Sequence, residues 1–280
     1  MKLLPLTPEI TIRLVLLIIS IKLVLSSLES LYNYNIYRPN QLLSWKYIKK
    51  TRKIFTLKKI SISGFDTIFS FQGTLILTTI QLILTLLMVF NLLFNKPVGV
   101  LVLLITFLGI LLGMRNTYSN NGSDQLSNII MLAVCLSMAP GASDLTRYLS
   151  IIFIAFQIEL SYLTSGVYKL INIDWRNGEC LKGVLSTAQF GNIYLKRWLD
   201  SNPVTYILSS FMIIFGEILL SLSFLFPPEL CLLMLLSGVG FHLFVAFVMG
   251  FNTFLWSFSA AYPCIYFISI HWQRYSISHF

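Results

Sequence analysis

Charge is scarce in this 280-residue chain: Asp and Glu together number 11, Lys and Arg 20 and His 3, so that charged residues are 11% of the sequence. A water-facing surface normally carries about 25% charged residues. With 56% apolar residues and a mean hydropathy of +0.78, a soluble globule is excluded. Glycine (15) and proline (9) are too few for a collagen-like or low-complexity chain, and 14% aromatics argue against disorder. The four cysteines, Cys135, Cys180, Cys231 and Cys264, show no C-x-x-C spacing and no nearby His pair, so neither a disulfide scaffold nor a zinc site is expected. Three of them stand in apolar runs, where cysteine is a small hydrophobe, and Cys180 stands in a polar loop. The histidines at 242, 271 and 279 form no ligand set, and no metal is expected.

What is abundant is long apolar sequence. A spanning helix needs about 20 mostly apolar residues, and this template places segments near 10–31, 68–94, 97–114, 126–140, 146–168, 204–226, 230–250 and 254–271. The expected fold class is all-α, a polytopic integral membrane bundle of about eight helices forming one domain over 1–280. The first segment carries Arg13 and Lys22 and is followed by no A-x-A site, so an uncleaved helix is expected rather than a signal peptide. The third and fourth segments are short, bounded by Pro97 and Arg115 and by Asp124 and Pro140. Two extramembrane pieces remain, 32–66 and 169–203, and neither is large enough for a soluble domain. Gly109 and Gly113, and Ala246 and Gly250, are small-residue steps read as packing within the chain rather than as a dimer face.

The net charge of +9 is localised. Arg38, Lys46, Lys49, Lys50, Arg52, Lys53, Lys58 and Lys59 lie within 32–66, interleaved with Trp45, Tyr47 and Phe55. This is the composition of a retained loop or of a segment resting on lipid headgroups, so membrane lipids are the expected partner and nucleic acid is not. If all eight segments cross, 32–66, 115–125, 169–203 and 251–253 share one side, and their excess of Lys and Arg places that side in the cytoplasm with both termini outside.

Ionised groups at mid-membrane cost about 2.5–3.5 kcal/mol each on insertion scales. Lys22, Glu159, Glu217 and His242 fall inside the apolar segments. An ion pair of Lys22 with a buried glutamate is the economical arrangement for the charged three, and a core hydrogen bond for His242. The functional alternative is a polar cavity in which these groups relay protons. The run Ser165-Gly166-Val167-Tyr168-Lys169-Leu170-Ile171-Asn172-Ile173-Asp174-Trp175-Arg176-Asn177-Gly178 follows. In it Lys169 stands where the apolar run stops, either as an anchor reaching headgroups or as an amine held in an apolar pocket to serve as a base.

These residues resemble a known family. S-G-V-Y-K-L-I-N-I-D-W-R-N-G is similar to the motif of the HTTM (horizontally transferred transmembrane) domain family, which includes the vitamin K-dependent gamma-carboxylases. Phe241-His242-Leu243 through Phe247-Val248-Met249-Gly250 to Phe254, Ala260 and Pro263 resembles the family's late-helix pattern, and Asn120-Asn121-Gly122-Ser123-Asp124 its entry to the fourth helix. The resemblance implies that Lys169 is the base, that Asn121 stands beside it, that His242 joins the working cavity, and that Gly166, Asp174, Trp175 and Gly178 belong to the motif. Gly122 stands where the carboxylases have a histidine, and the large soluble domain that follows in them has no counterpart in this sequence. Short bacterial members are the nearer likeness. They imply a multi-pass protein of the bacterial plasma membrane that takes part in maturing or exporting a secreted peptide toxin, with a small peptide precursor and a small partner protein. The alternatives are a carboxylase-like enzyme using reduced quinone and, from a different class, a transporter or immunity protein dependent on Glu159 and Glu217. The resemblance also implies that the Lys169 loop faces the exterior, against the charge count, and is preferred to it.

Overall fold

The computed structural model describes residues 6–51, 63–116, 121–188 and 190–277, and among these no strand occurs. Every segment expected to be apolar and helical is a helix. Five helices are long and apolar enough to cross a membrane: α1 (Pro8–Tyr32), α4 (Phe71–Leu93), α7 (Asp144–Ile171), α12 (Pro228–Met249) and α13 (Asn252–Ile277). With α5 (Gly99–Arg115), α6 (Gly122–Ser137) and α11 (Pro203–Leu220) as shorter apolar helices, the chain is a helical, multi-pass membrane protein. Among the described residues five helices, or six if the bent pair is one span, meet the length and apolarity of a crossing where about eight were expected, because α5 and α6 have only 17 and 16 residues and α11 bends 117° from the helix before it.

Some boundaries differ from expectation for local reasons. α7 runs three residues past 168, so Lys169 lies in its last turn. α11 stops at Leu220 rather than 226: Ser221 Oγ donates back to Ile218 O at 2.7 Å, a short 3₁₀ turn (Ser223–Leu225) follows, and Pro227 and Pro228 hold the chain extended before α12. Gly250 closes α12 as a left-handed cap (φ 76°), so it ends that helix rather than extending a packing stripe from Ala246. Gly109, in contrast, faces the next helix: a β-carbon there would come within 3.1 Å of Asn128 Oδ1. Pro263 sits inside α13, where it cannot donate to the carbonyl four residues back.

The chain divides into two compact units, one of residues 16–147 and one of 1–15 with 148–280. In the first, α4, α5 and α6 pack in sequence. The described part of the 32–66 piece is folded rather than an open loop. It contains a 3₁₀ turn (Tyr34–Tyr37), α2 (Trp45–Thr51) and α3 (Ser63–Ile68), while Arg52, Lys53, Phe55, Lys58 and Lys59 lie outside the described residues. Tyr37, Leu43, Trp45, Ile48 and Phe69 make its small core. Arg115, the last residue of α5, ties this core to the helices and is fully buried. Its Nε donates to Thr74 Oγ1 at 2.9 Å, Nη2 to Leu43 O at 2.7 Å and Nη1 to Asn116 Oδ1 at 3.0 Å, and its guanidinium lies 4.7 Å from the Tyr37 ring centroid. On the other side of this core Asp66 accepts from Trp45 Nε1 at 2.7 Å and from Lys49 Nζ.

The second unit contains the 169–203 piece, which is also helical: α8 (Ile173–Arg176), α9 (Glu179–Leu185) and α10 (Ile193–Asp200). Asparagines start three of its helices. The Asn172, Asn192 and Asn202 side chains accept from backbone N–H groups of α8, α10 and α11, meeting donors a helix start leaves unpaired. Gly178 has φ 83°, and a β-carbon there would lie 2.6 Å from Tyr206 Cβ and 2.9 Å from its carbonyl carbon, so glycine is required both for the turn and for the approach to α11.

Two outcomes follow. Replacing Arg115 with Met leaves the Leu43 carbonyl and Thr74 hydroxyl without their buried donor and lowers stability by about 2–4 kcal/mol. R115K does not restore it, since an ammonium cannot reach three directions from a planar fork; resistance to denaturation in mixed micelles measures both. Hydrogen bonds from Lys49 first and Trp45 second hold the Asp66 carboxyl below its usual range, with burial opposing. Its stabilising effect is therefore complete above the ordinary carboxylate range and is lost as pH falls through the lowered value. Hydrogen exchange of α2 rises with acidification across that window in the wild type, and D66N has the faster exchange above the window, the two converging below it.

Candidate functional site

Four residues of α7 define the site: Glu159, Tyr162, Gly166 and Lys169, spaced three, four and three residues apart and therefore on one face. Gly166 sets the distance to α11. A β-carbon at 166 would lie 2.7 Å from Ile218 Cγ1 and 3.2 Å from Ile218 N, so only glycine allows the two backbones this close. One turn later that proximity puts the Lys169 ammonium on the Glu217 carboxylate. Both oxygens accept from Nζ, Oε2 at 2.6 Å, and Ser165 Oγ takes the third proton at 2.8 Å. Trp175 of α8 lies beneath, its ring centroid 5.2 Å from Nζ. The Lys169 and Glu217 side chains are 14% and 9% exposed. The amine is thus neither an anchor in open solvent nor alone in an apolar pocket; it is ion-paired, saturated and largely enclosed.

Toward the middle of α7 the same face carries a second polar group. Tyr162 OH is 2.8 Å from His242 Nε2 and 2.5 Å from Tyr262 OH, and all three side chains are buried. His242 comes from α12 and Tyr262 from α13. The imidazole packs 4.5 Å from the Phe258 ring. Gly238, one turn before His242, makes room for the second phenol: a β-carbon there would lie 2.5 Å from Tyr262 OH. Three residues before Tyr162, Glu159 accepts from Ser223 Oγ at 3.1 Å through Oε1, while Oε2 has no hydrogen-bond partner. Both Glu159 and Glu217 lie within electrostatic reach of the Tyr162 hydroxyl.

The other charged candidate pairs differently from expectation. Lys22 bonds neither glutamate but Asp124, Nζ to Oδ1 at 2.7 Å, within the 16–147 unit. Asp124 is available because it is the third residue of α6, where a carboxylate is favoured by the helix N-terminus. It also completes a capping box with Asn121, whose side chain accepts from Asp124 N at 3.1 Å and from Ser123 Oγ at 2.5 Å. Asn121 is thus the cap of α6, and Asn120 lies outside the described residues. Asp174 is exposed in the first turn of α8, and Gly178 shapes the turn after it. All four cysteines are free.

The structure therefore brings Lys169, Glu217, Gly166 and Trp175 together, with His242 and Glu159 grouped around Tyr162. Tyr162, Tyr262, Gly238 and Ser223 were not anticipated. The signal for Tyr162 was present, since it completes the three-and-four spacing from Glu159 to Lys169. The signal for Tyr262 was not, since a tyrosine beside Pro263 in an apolar run has no distinguishing pattern.

Chemically, the arrangement holds one cation, two carboxylates, an imidazole and two phenols inside an apolar unit, and its elementary capacity is to bind and pass protons. Removing one member of the ion pair strands the other. K169M is expected to cost about 3–5 kcal/mol, and the double variant K169M/E217L to recover most of it, because a paired replacement leaves no uncompensated charge; unfolding in mixed micelles gives both values.

No family model matches the chain, and neither a curated protein nor a solved structure does.

Proposed function

We propose that this chain is an HTTM-type integral membrane protein that takes part in the maturation or export of a small secreted peptide, with Lys169 as its working group. The observation that supports the reading is that the run from Ser165 to Gly178 is one built site. Gly166 permits the close approach, Ser165 and Glu217 hold the ammonium, Trp175 lies against it, and Gly178 turns the chain back onto α11. A lysine serving only as an interfacial anchor has no use for so many fixed partners. In this reading α5, α6 and α11 cross the membrane as well, giving eight crossings, and the membrane is the bacterial plasma membrane. The peptide precursor and a small partner protein approach the end of α7. His242 serves the same unit, and Asn121 acts by fixing the start of α6.

The chemistry asked of Lys169 is proton transfer to or from a bound group, with Glu217 holding the amine until that group arrives. The test separates this from anchoring. K169R keeps the cation and its carboxylate partner yet does not release a proton at physiological pH. In a producing strain K169R is expected to be inserted at wild-type levels while the mature peptide disappears from the medium, as read by mass spectrometry. Secreted peptide identical in amount and mass in K169R and in the wild type, with K169R inserted at wild-type levels, overturns the reading.

A further inference from the structure

The polar groups at the middle of α7 are not needed to hold Lys169, and they are arranged as a string. Tyr162 OH has a partner on each side, His242 Nε2 at 2.8 Å and Tyr262 OH at 2.5 Å. A phenol has one proton to donate and lone pairs to accept with, so Tyr162 gives to one neighbour and receives from the other. Two arrangements exist, one running from Tyr262 through Tyr162 to His242 and one running the opposite way, and the passage of a single proton converts one into the other. Glu159, 6% exposed, has an oxygen with no partner, and among the described residues no cation bonds it. An isolated ionised carboxylate in such surroundings is costly, so this oxygen is a natural terminus for a proton. Glu159 lies within electrostatic reach of both phenols, and Glu217 of Tyr162. From Glu159 to Lys169 is ten residues of one helix, roughly 15 Å of travel along its axis.

We infer that Tyr262, Tyr162 and His242 form a proton path inside the membrane unit that serves the Glu159 carboxyl. In each step one proton moves and no electron does. Tyr162 accepts a proton on its oxygen as it yields its own, and ends neutral. When Tyr162 donates to His242 Nε2 and accepts from Tyr262, the Tyr262 oxygen takes a proton from the Glu159 carboxyl, so that an imidazolium and a carboxylate are the two charges formed, and the reverse sequence removes both. Glu159 is hydrogen-bonded to neither phenol, so the path closes at Tyr262 by rotation of the Glu159 side chain. The inference does not rest on the peptide reading, since it concerns only how protons reach the interior.

The experiment uses the full-length protein reconstituted in lipid and read by infrared difference spectroscopy. The carbonyl band of a protonated carboxyl that disappears in E159Q identifies Glu159, and its shift on transfer to heavy water times the arrival of exchangeable protons. The wild type and Y194F, which alters an exposed tyrosine on α10, are expected to exchange alike. Y162F and Y262F keep the rings and their packing, and are expected to keep the band but lose its rapid shift. Amide exchange recorded in the same samples separates loss of the path from loosening of the helices. A band that shifts at the wild-type rate in both phenylalanine variants, or the lack of any band sensitive to E159Q, overturns the inference.

Discussion

A polar group surrounded by lipid and protein has no water to fall back on, and the architecture of each unit is organised around that constraint. The Lys169 ammonium has three protons and three acceptors, two of them on Glu217 and one on Ser165. Arg115 distributes its donors among a hydroxyl, a carbonyl and an amide oxygen from three parts of its unit, with an aromatic face closing the remaining side. Lys22 reaches a carboxylate that is itself committed to capping a helix. Many hydroxyls follow the rule: Ser20, Thr78, Thr85, Thr106 and Ser127 donate to carbonyls one turn back in their own helices. Among the described residues the buried side-chain atoms without a hydrogen-bond partner are four hydroxyls, of Ser44, Ser210, Ser259 and Tyr266, and Glu159 Oε2, the one carboxylate oxygen of the set.

Glycine is the second organising element, used where helices must touch closely. Gly166 and Gly238 each occupy a spot where a single added carbon would collide with a residue of the polar string or its neighbour. Charge and close packing are thus linked: the ion pair exists because a glycine three residues earlier lets the helices meet, and the second phenol finds its partner because a glycine leaves space for its oxygen. Large-to-small reasoning applies here in reverse, since these backbones tolerate no increase in volume.

Much of this was legible in the sequence, and the rest was hidden for identifiable reasons. The helices were legible because apolar runs near 20 residues have one meaning in a charge-poor chain. The costly residues Lys22, Glu159, Glu217 and His242 were legible as a set, since each stands in an apolar run. Their partners were not, because pairing depends on which helices adjoin, and hydropathy carries no information about that. Lys22 was therefore matched to a glutamate when Asp124, at the start of α6, was its partner. Arg115 read as a boundary marker, because a terminal basic residue ordinarily faces water. The 32–66 and 169–203 pieces read as connections, although their asparagine caps and the alternation of Trp45 and Ile48 with lysines already contained short helices. Resemblance pointed to Asn121, and the physical signature of its role, an aspartate three residues on, was in plain sight.

Pro263 follows Tyr262 directly in α13 and removes one backbone hydrogen bond from that helix. A helix missing a rung is most compliant at the gap, so sideways forces along these 26 residues concentrate there as curvature. Tyr262, the residue beside the gap, carries the phenol that lies 2.5 Å from Tyr162. Membrane thickness, lateral pressure or a docked partner would thus act as a mechanical control on that short contact, letting events outside the protein open or shorten it without touching any charged residue.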